Sequence, residues 1–560
     1  MTGGKKVAKI FLVFPGGEVG WGALFLSVFR GFPVTSDLPT PSQLLGCGSF
    51  NSWYPGQYSL MERSLSWYDS PARFLGVAAP TGSGKSIIAM LLSRLSGART
   101  CILTATKGLQ DQYLRDCGAV GAVQVKGQNN FPCLLVPGLQ ADDGPCHDGM
   151  PCSLREQCPY RVQLSAAQRS DLVITNYSYW MAQHAYSSGL GEFDLLILDE
   201  AHQSFSSIEG FMTLHISRPD IQPSGLYFPD SPDQWSTWKT WAAACLPTVK
   251  SRVSQLESEI KEMRSSGRMV PGATSRAYRN AKALSGKLER LSQVTEDWVI
   301  QRTQHGYRFV PKWVANHSKN LFLDVPKVVL MSAILSKRSC AYIGIPDDDN
   351  LSWIEVPSYF PPENTQIWHV PTARINHRTD DYGATIWCSR VDQIIQRRLD
   401  RKGIVFTVSY DRARMLLSRS RFKDIMLTHS TGDVVAVIEK FKRMDAPAVL
   451  LSPSVTTGYD FPANRYNIKY LIAGKVPYPD TMDPVTKARH EEDKEWSSFL
   501  AMETLVQECG RASRGPEDRV ECLILDDSWL WFYKLYKHFS PAWFRARVRG
   551  SLPCVPDPLV

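Results

Sequence analysis

Residues 74–92 read FLGVAAPTGSGKSIIAMLL, and this stretch sets the fold class of the chain. The apolar run over residues 74–79 predicts a buried strand, and residues 87–92 predict a helix. The turn between them contains two glycines, so its backbone N–H groups can surround phosphate oxygens at the start of the helix. The order of strand, glycine-rich turn and helix therefore predicts a phosphate-binding loop in an α/β domain.

The residues of this loop have distinct expected roles. Lys85 supplies a positive charge to the phosphates, and the Ser86 hydroxyl can bind Mg²⁺ at the start of the helix. Position 79 holds Ala where the strict pattern has Gly. A chance Gly/Ser turn is the alternative, but it would leave the flanking strand and helix unexplained. We expect the nucleotide to contact Thr81, Gly82, Ser83, Gly84, Lys85 and Ser86.

A second phosphate-site motif is FDLLILDEAH, residues 193–202. An apolar strand brings Asp199 and Glu200 to its carboxyl end, which is where ligands bind in open α/β sheets. We expect Asp199 to hold Mg²⁺ and Glu200 to polarise the water that attacks the γ-phosphate. His202 would couple the nucleotide to the neighbouring domain. Simple capping of the next helix is the alternative role of the carboxylates.

A cluster of polar residues near the C-terminus completes the expected nucleotide site. In QECGRASRGPED, residues 507–518, the spacing i, i+3, i+4, i+7 predicts that Gln507, Gly510, Arg511 and Arg514 share one helical face. Arginines on that face can reach phosphates across a cleft and stabilise the transferred phosphoryl group. An ordinary solvated helix face is the alternative.

With these motifs the chain resembles superfamily-2 helicases of the XPD/DinG-like branch, from about residue 50 to about residue 530. The resemblance implies that Gln57 of YPGQ reads adenine, that Gly458 and Asp460 belong to the nucleotide site, and that ATP and Mg²⁺ are cofactors. Ile334 departs from the family, which usually has Thr there. The further stretches that resemble family motifs are LTATKGLQDQY (103–113), KVVLMSAIL (327–335), GIVFTVSYDRARML (403–416) and LLSPSVTTGYDF (450–461).

Four cysteines lie in a Pro- and Gly-rich stretch without strand or helix periodicity. Their spacing, C-x12-C-x5-C-x5-C, differs from the C-x2-C pairs of zinc ribbons and suits a bulkier group. The flanking sequences resemble those of the iron–sulfur domain of XPD/DinG-like helicases, which implies a 4Fe–4S cluster. A zinc ion and unliganded thiols are the alternatives. The predicted ligands are Cys133, Cys146, Cys152 and Cys158.

The motif order predicts an α/β fold with two tandem RecA-like lobes, each built on a parallel sheet. Two insertions interrupt the first lobe. One is the cysteine segment, and the other is a helical hairpin that the resemblance equates with the Arch domain. The predicted ranges are 1–45 for an N-terminal extension of unknown role, 46–122, 161–203 and 321–350 for the first lobe, 123–160 for the iron–sulfur domain, 204–320 for the Arch-like insertion and 351–560 for the second lobe.

The composition of the chain argues against a membrane protein and against a disulfide-rich secreted protein. No run of about 18 uncharged apolar residues is present, which argues against a membrane span and for a soluble protein. Thirteen cysteines, an odd number, favour a reducing, intracellular compartment, either cytoplasmic or nucleoid-associated. The net charge of +8 favours a polyanionic partner only mildly.

These expectations combine into a functional hypothesis. We expect a monomeric, ATP-dependent DNA helicase that moves 5′ to 3′ along single-stranded DNA and unwinds forked duplexes in repair, replication or recombination, the polarity being implied by the resemblance alone. RNA is an open alternative partner. Two alternative functions are a DNA-stimulated ATPase that remodels protein–DNA complexes and an iron–sulfur redox-sensing NTPase.

Overall fold

The structure is a computed structural model that describes most of the chain. The described residues are 38–46, 50–117, 121–144, 146, 151–187, 189–268, 270–295, 297–376, 378–453 and 461–559. Within them, two seven-stranded parallel sheets and one three-stranded antiparallel sheet are formed. The predicted fold class, two parallel α/β lobes in tandem, is confirmed.

The first lobe is a parallel sheet with the strand order β10-β1-β9-β5-β2-β4-β3. Its inner strands are continuous apolar runs because helices cover both faces, and this burial on both sides is why the sequence pattern revealed them. The strands are β1 Phe74–Ala78, β2 Thr100–Thr104, β3 Val123–Gln124, β4 Leu172–Asn176, β5 Leu195–Asp199, β9 Lys327–Ser332 and β10 Leu351–Glu355.

The second lobe repeats this architecture with the strand order β13-β14-β12-β15-β16-β11-β17. All its strand pairs are parallel, and its core lies on both faces of the sheet. The strands are β11 Ile367–His369, β12 Lys402–Phe406, β13 Met426–Thr428, β14 Ala448–Ser452, β15 Ile468–Ala473, β16 Glu521–Ile524 and β17 Val548–Ser551.

Helices connect the strands of both sheets, as expected for parallel strands that need crossover connections. The α-helices within the described residues are Pro41–Leu45, Gln57–Tyr68, Lys85–Ser96, Lys107–Cys117, Pro159–Arg169, Tyr177–Tyr186, Ser204–Met212, Arg218–Ile221, Trp235–Ser265, Gly272–Ser292, Lys319–Phe322, Lys337–Tyr342, Asp381–Gln396, Tyr410–Arg419, Val434–Arg443, Ala463–Tyr466, Pro484–Glu492, Trp496–Cys509, Ser528–Tyr536 and Ala542–Arg545.

The segment between β5 and β9 contains two long helices, Trp235–Ser265 and Gly272–Ser292, which pack against each other. They stand on an antiparallel sheet with the order β6-β8-β7. Buried aromatic and apolar side chains such as Trp238, Phe309 and Leu288 join the helices to this sheet. The three strands, which lie in a segment predicted to be helical, are β6 Leu214–Ser217, β7 Trp298–Thr303 and β8 Gly306–Pro311.

Several basic residues of the second long helix are bound to other parts of the chain. Arg279 pairs with Asp143 of the cysteine segment at 3.2 Å. Lys287 pairs with Asp220 at 3.3 Å, and Arg290 donates to the Met212 carbonyl oxygen at 2.7 Å. These three side chains are therefore used in contacts within the chain, and the Arg279 contact joins the two inserted segments.

Two predicted domain borders differ from the packing. Leu45, placed by the sequence in the N-terminal extension, is buried in the core of the first lobe. β10, placed in the second lobe, is the edge strand of the first sheet and pairs with β1. Only Leu351 and Ile354 of this strand are buried, so it lacks the continuous apolar run by which the inner strands were recognised. Residues 1–37 of the predicted extension lie outside the described residues.

Arg398→Ala should lower the free energy of unfolding by about 3–5 kcal/mol, because it leaves a buried carboxylate without its partner. Two guanidinium nitrogens of Arg398 donate to the two Glu521 oxygens at 2.7 Å each, and the two side chains are 0% and 3% exposed. The preceding residue, Arg397, pairs with Asp557 on the surface, so Arg397→Ala should cost less than about 1 kcal/mol. Urea unfolding measures both, and equal costs would contradict the assigned role of burial.

Candidate nucleotide site

The glycine-rich turn between β1 and the helix Lys85–Ser96 has the backbone of a phosphate-binding loop. Gly82 and Gly84 adopt φ angles of 80° and 75°, which L side chains rarely adopt. A Cβ at Gly84 would lie 1.9 Å from the Gln57 Nε2 atom, and one at Gly82 would lie 2.5 Å from the Phe360 ring. Both glycines are therefore required by conformation and by space.

The linker between the lobes contacts this loop directly. The Tyr359 hydroxyl donates to the Gly82 carbonyl oxygen at 3.3 Å, and the Phe360 ring packs beside the same glycine. The Arg514 carbonyl oxygen also lies 2.6 Å from the position of a Gly82 Cβ. The first turn of the loop thus touches both the linker and the second lobe.

Gln57 supports the loop from behind. Its Oε1 atom accepts from the Tyr54 N–H at 2.8 Å, and its Nε2 atom donates to the Ser83 carbonyl oxygen at 2.9 Å. The side chain is 3% exposed. In this structure Gln57 orders the phosphate loop, and its adenine-reading role stays a prediction.

Asp199, the last residue of β5, is buried below the loop. Its Oδ2 atom accepts from the Tyr113 hydroxyl at 3.0 Å, and its Oδ1 atom accepts from the Glu200 N–H at 3.0 Å. Burial raises the pKa of Asp199 to about 6, and the neighbouring Glu200 acts in the same direction while Lys85 opposes it. Lys85 therefore helps to keep this carboxylate charged.

Glu200 is held in the left-handed backbone region with φ at 53°. Burial acts to raise the pKa of Glu200, but Lys85, His202 and the two arginines of the second lobe outweigh burial and lower it. The two adjacent carboxyl groups are therefore shifted in opposite directions. A charged Glu200 can accept a hydrogen bond from water, as the predicted role requires.

His202 links this pair to the strand β9. Its Nδ1 atom lies 2.8 Å from the Ser332 hydroxyl and 3.4 Å from a Glu200 carboxylate oxygen. Burial lowers the pKa of His202 to about 4, so the ring is neutral at physiological pH. The expected coupling role of His202 stays a prediction, but the contact that it needs is present.

The predicted helical face of Gln507, Gly510, Arg511 and Arg514 is wrong. The helix Trp496–Cys509 ends before Gly510, and the N–H groups of Arg514 and Gly515 donate instead to the Asp518 carboxylate at 2.7 and 2.8 Å. A carboxylate that captures backbone donors stabilises a turn at the expense of the helix. The residues nevertheless reach the same cleft, from the helix end and from this turn.

A cleft of about 630 Å³ between the lobes collects most of the predicted residues. Ser83 does not line it, because its side chain is 5% exposed and its carbonyl oxygen is bound by Gln57. Gly458 and Asp460 lie outside the described residues. The predicted residues that line the cleft are Thr81, Gly82, Gly84, Lys85, Ser86, Asp199, Glu200, Gln507, Arg511 and Arg514.

Several residues of the cleft were not predicted. Lys442, Arg465, Tyr466 and Trp543 line the cleft from the second lobe. They lie outside the quoted motifs, so the sequence alone offered no spacing by which to find them.

The four predicted cysteine ligands share one neighbourhood. Burial raises the pKa of the Cys146 thiol, and Cys152, Cys158 and Cys133 add to this effect while Arg161 opposes it. None of the four forms a disulfide. A Cβ at Gly144 would lie 3.1 Å from the Cys133 sulfur. In the described residues no three His, Cys, Asp or Glu side chains are close enough to form a metal site, so the 4Fe–4S cluster stays a prediction, for which four thiols are chemically suitable ligands.

Comparison with protein families agrees with the two-lobed site. Residues 55–222 match the family described as DEAD/DEAH box helicase, and residues 394–547 match the helicase C-terminal domain. The chain is a superfamily-2 helicase. The first match contains the phosphate loop and the Asp199–Glu200 pair of the helicase, and the second contains its arginines.

Solved structures share the fold of the helicase. A structure named XPD helicase has 15% identity and a TM-score of 0.60, over 89% of this chain and 99% of that chain. Xpd4 of S. tokodaii has 15% identity and a TM-score of 0.56, over 89% and 100%. An apo structure of XPD has 14% identity and a TM-score of 0.54, over 88% and 100%. No curated protein matches the helicase significantly in sequence. Each helix of the described ranges is too short or too polar to span a bilayer.

Arg514→Ala should leave ATP affinity near the wild-type value and lower the rate of hydrolysis about 10²-fold or more, because a charge aimed at the transferred phosphoryl group acts mainly in the transition state. Steady-state hydrolysis and binding of a fluorescent ATP analogue measure the two quantities. Arg549→Ala, an exposed arginine of the same lobe, is the control. A loss of nucleotide binding with a normal rate at saturation would contradict this role.

Proposed function

We propose that the chain is an ATP-dependent DNA helicase of the XPD/DinG type, which couples ATP hydrolysis to 5′ to 3′ movement along single-stranded DNA and to unwinding. The observation that carries the proposal is the cleft itself. Lys85 and the Asp199–Glu200 pair of one lobe face Arg511 and Arg514 of the other. Groups split in this way between two lobes act together only when the lobes close, so hydrolysis is tied to movement.

Each side chain of the cleft has a defined part in hydrolysis. Ser86 and Asp199 would hold Mg²⁺, which supplies charge neutralisation to the phosphates when bound. Lys85 donates to the Ala79 and Pro80 carbonyl oxygens at 3.2 and 3.3 Å in this structure and is free to exchange these weak contacts for phosphate oxygens. Glu200 orients the attacking water.

The arginines complete the site from the second lobe. Arg511 and Arg514 neutralise charge on the transferred group as the lobes approach. Their positive charges already lower the pKa of Glu200 across the cleft, which places them within electrostatic reach of the reacting centre. Release of phosphate removes the negative charge that holds the lobes together, so the cleft can reopen.

The cysteine segment supports the assignment to the iron–sulfur branch. Cys133, Cys146, Cys152 and Cys158 would hold a 4Fe–4S cluster, which supplies a rigid cross-link to a short polar segment when bound. The ion pair between Asp143 of this segment and Arg279 of the long helical hairpin connects the two inserted elements. A segment that is fixed at both places is suited to act as a wedge beside an incoming duplex.

Strand displacement with defined substrates tests the proposal. Purified protein is given forked duplexes with a 5′ or a 3′ single-stranded tail, with the tail made of DNA or of RNA. We expect ATP-dependent unwinding that requires a 5′ DNA tail. Hydrolysis stimulated by DNA without strand separation would favour the remodelling ATPase instead, and preference for an RNA tail would replace the proposed substrate.

A further inference from the structure

The coupling of hydrolysis to lobe movement needs a contact between the phosphate site of one lobe and the body of the other. Trp543 makes such a contact. Its indole N–H donates to the Ala333 carbonyl oxygen at 3.2 Å, so a side chain of the second lobe holds the backbone of the first lobe immediately after β9. Trp543 lies beyond the quoted motifs, and nothing in them assigns it a role.

The residue next to this hydrogen bond strengthens the same contact. Ile334 is 7% exposed and packs in a buried cluster whose other fully buried members, among the described residues, come from residues 367–544. A first-lobe side chain is thus part of the core of the second lobe. Position 334 is the one at which this chain departs from the usual Thr, and an apolar residue suits these surroundings because a buried hydroxyl would need a hydrogen-bond partner.

The ring of Trp543 also contacts residues of its own lobe. The Arg547 guanidinium lies 4.8 Å from the centre of its ring, a favourable cation–π distance. Arg547 is 4% exposed, and burial lowers the pKa of this group to about 10, so it remains charged at neutral pH. A Cβ at Gly510 would lie 3.8 Å from the same indole. The ring is therefore fixed between the arginine turn and the backbone after β9.

From this point a short path reaches the reacting centre. The Ile334 N–H donates to the Ser332 hydroxyl at 3.3 Å, and that hydroxyl lies 2.8 Å from His202 Nδ1. His202 in turn lies 3.4 Å from the Glu200 carboxylate. Four contacts, counted from the Trp543–Ala333 hydrogen bond, therefore connect Trp543 with Glu200.

We propose that Trp543 and Ile334 are positioning residues that couple lobe closure to the placement of Glu200, through an indole hydrogen bond and an apolar contact. The inference rests on the proposed function, since it concerns the step that links nucleic-acid binding to hydrolysis. The inference assigns a role to two further residues and states that lobe closure controls the position of Glu200. Neither residue is required to touch ATP.

Trp543→Phe tests the hydrogen bond, because phenylalanine keeps an aromatic ring over Arg547 and removes the N–H donor. We expect the stimulation of kcat by single-stranded DNA to fall roughly fivefold, the size of one ordinary hydrogen bond, while KM for ATP changes less than about twofold. Trp531→Phe is the matched control, because Trp531 is 54% exposed on the same lobe. It should keep the wild-type stimulation.

Ile334→Thr and Ile334→Val test the apolar contact as a pair with nearly equal side-chain size. The valine variant should keep the stimulation by DNA, and the threonine variant should lose it roughly fivefold because its hydroxyl enters an apolar cluster. If Trp543→Phe fails to fold, which circular dichroism would show, the comparison of the two Ile334 variants still tests the inference.

The outcomes separate the inference from the proposed function. Wild-type protein without DNA-stimulated hydrolysis would overturn the proposed function. Normal wild-type stimulation that is unchanged in Trp543→Phe, or equal in the threonine and valine variants, would overturn the inference alone. A loss confined to KM for ATP would place Trp543 in nucleotide binding and would also overturn it.

Discussion

Lys85→Ala is expected to reduce ATP hydrolysis by about 10²–10³-fold, the cost of removing one well-placed charge from a developing anion. The side chain stands at the start of the helix Lys85–Ser96 and lines the cleft beside the glycine turn. The partners of its amino group in this structure are two backbone carbonyl oxygens of the loop. These two hydrogen bonds contribute little to the stability of the fold. The loss should therefore fall on hydrolysis and leave folding nearly unchanged.

A second effect acts in the same direction. Lys85 lowers the pKa of both Asp199 and Glu200. Without it the pKa of Asp199, already about 6 because of burial, rises toward neutral pH, and a protonated carboxyl binds Mg²⁺ poorly. The Mg²⁺ concentration required for half-maximal residual activity should increase, and more so at pH 6 than at pH 8.

The matched control is Lys337→Ala. Lys337 belongs to the same lobe, is half exposed and pairs with Asp347 outside the cleft, so its removal should leave hydrolysis at the wild-type rate. Phosphate release measures both variants, and thermal melting checks their folding. A Lys85→Ala protein that turns over ATP normally would show that the glycine turn is not the phosphate site.

Cys146→Ser is expected to remove iron and to abolish duplex unwinding while ATP hydrolysis persists. Wild-type protein purified without oxygen should be brown and contain about four iron atoms per chain. The described residues of the segment 125–158 form short 3₁₀ turns and an isolated bridge but no α-helix or longer strand, and so small a polar segment has no core of its own to keep its shape without a metal cross-link. The segment should then become sensitive to protease.

In the Cys146→Ser variant the contacts between the cysteine segment and the rest of the chain should also be lost. The Asp143–Arg279 ion pair is exposed on the Asp143 side and contributes less than about 1 kcal/mol alone, so it cannot hold the segment in place without the cross-link. Both lobes should stay folded, because their cores do not include Cys146.

Cys554→Ser is the control for this prediction, since Cys554 is an exposed thiol near the C-terminus. It should keep full iron content and full unwinding. Colourless wild-type protein with one zinc ion per chain, or normal unwinding by Cys146→Ser, would contradict the iron–sulfur assignment.

The sequence predicted the parts of the fold that are buried on both sides. β1, β5 and β14 are continuous apolar runs, and β1, predicted over residues 74–79, spans Phe74–Ala78. The nucleotide residues of the first lobe were found because a glycine-rich turn and an acidic pair have fixed distances from such strands. Local sequence is sufficient where the chemistry is carried by one loop.

The parts that the sequence missed depend on distant contacts. β10 was missed because only two of its five residues, Leu351 and Ile354, are buried, so this edge strand shows neither a continuous apolar run nor a regular alternation. The arginine turn was taken for a helix because the spacing is helical, whereas Asp518 captures its N–H groups. The ion pair between Arg279 and Asp143 joins residues that are far apart in the chain, so no local pattern could predict it. Trp543 has no neighbouring signal at all.

The contact of Tyr359 and Phe360 with Gly82 restricts how this chain can vary and be engineered. Linkers between domains usually tolerate insertions well. The length of this linker is fixed by its contact with the phosphate loop. An added residue before position 359 would therefore shift both rings away from Gly82, even if every catalytic side chain were kept. The stretch between the lobes is therefore a poor place to insert a tag or a reporter domain, and relatives with the same contact should keep its length constant.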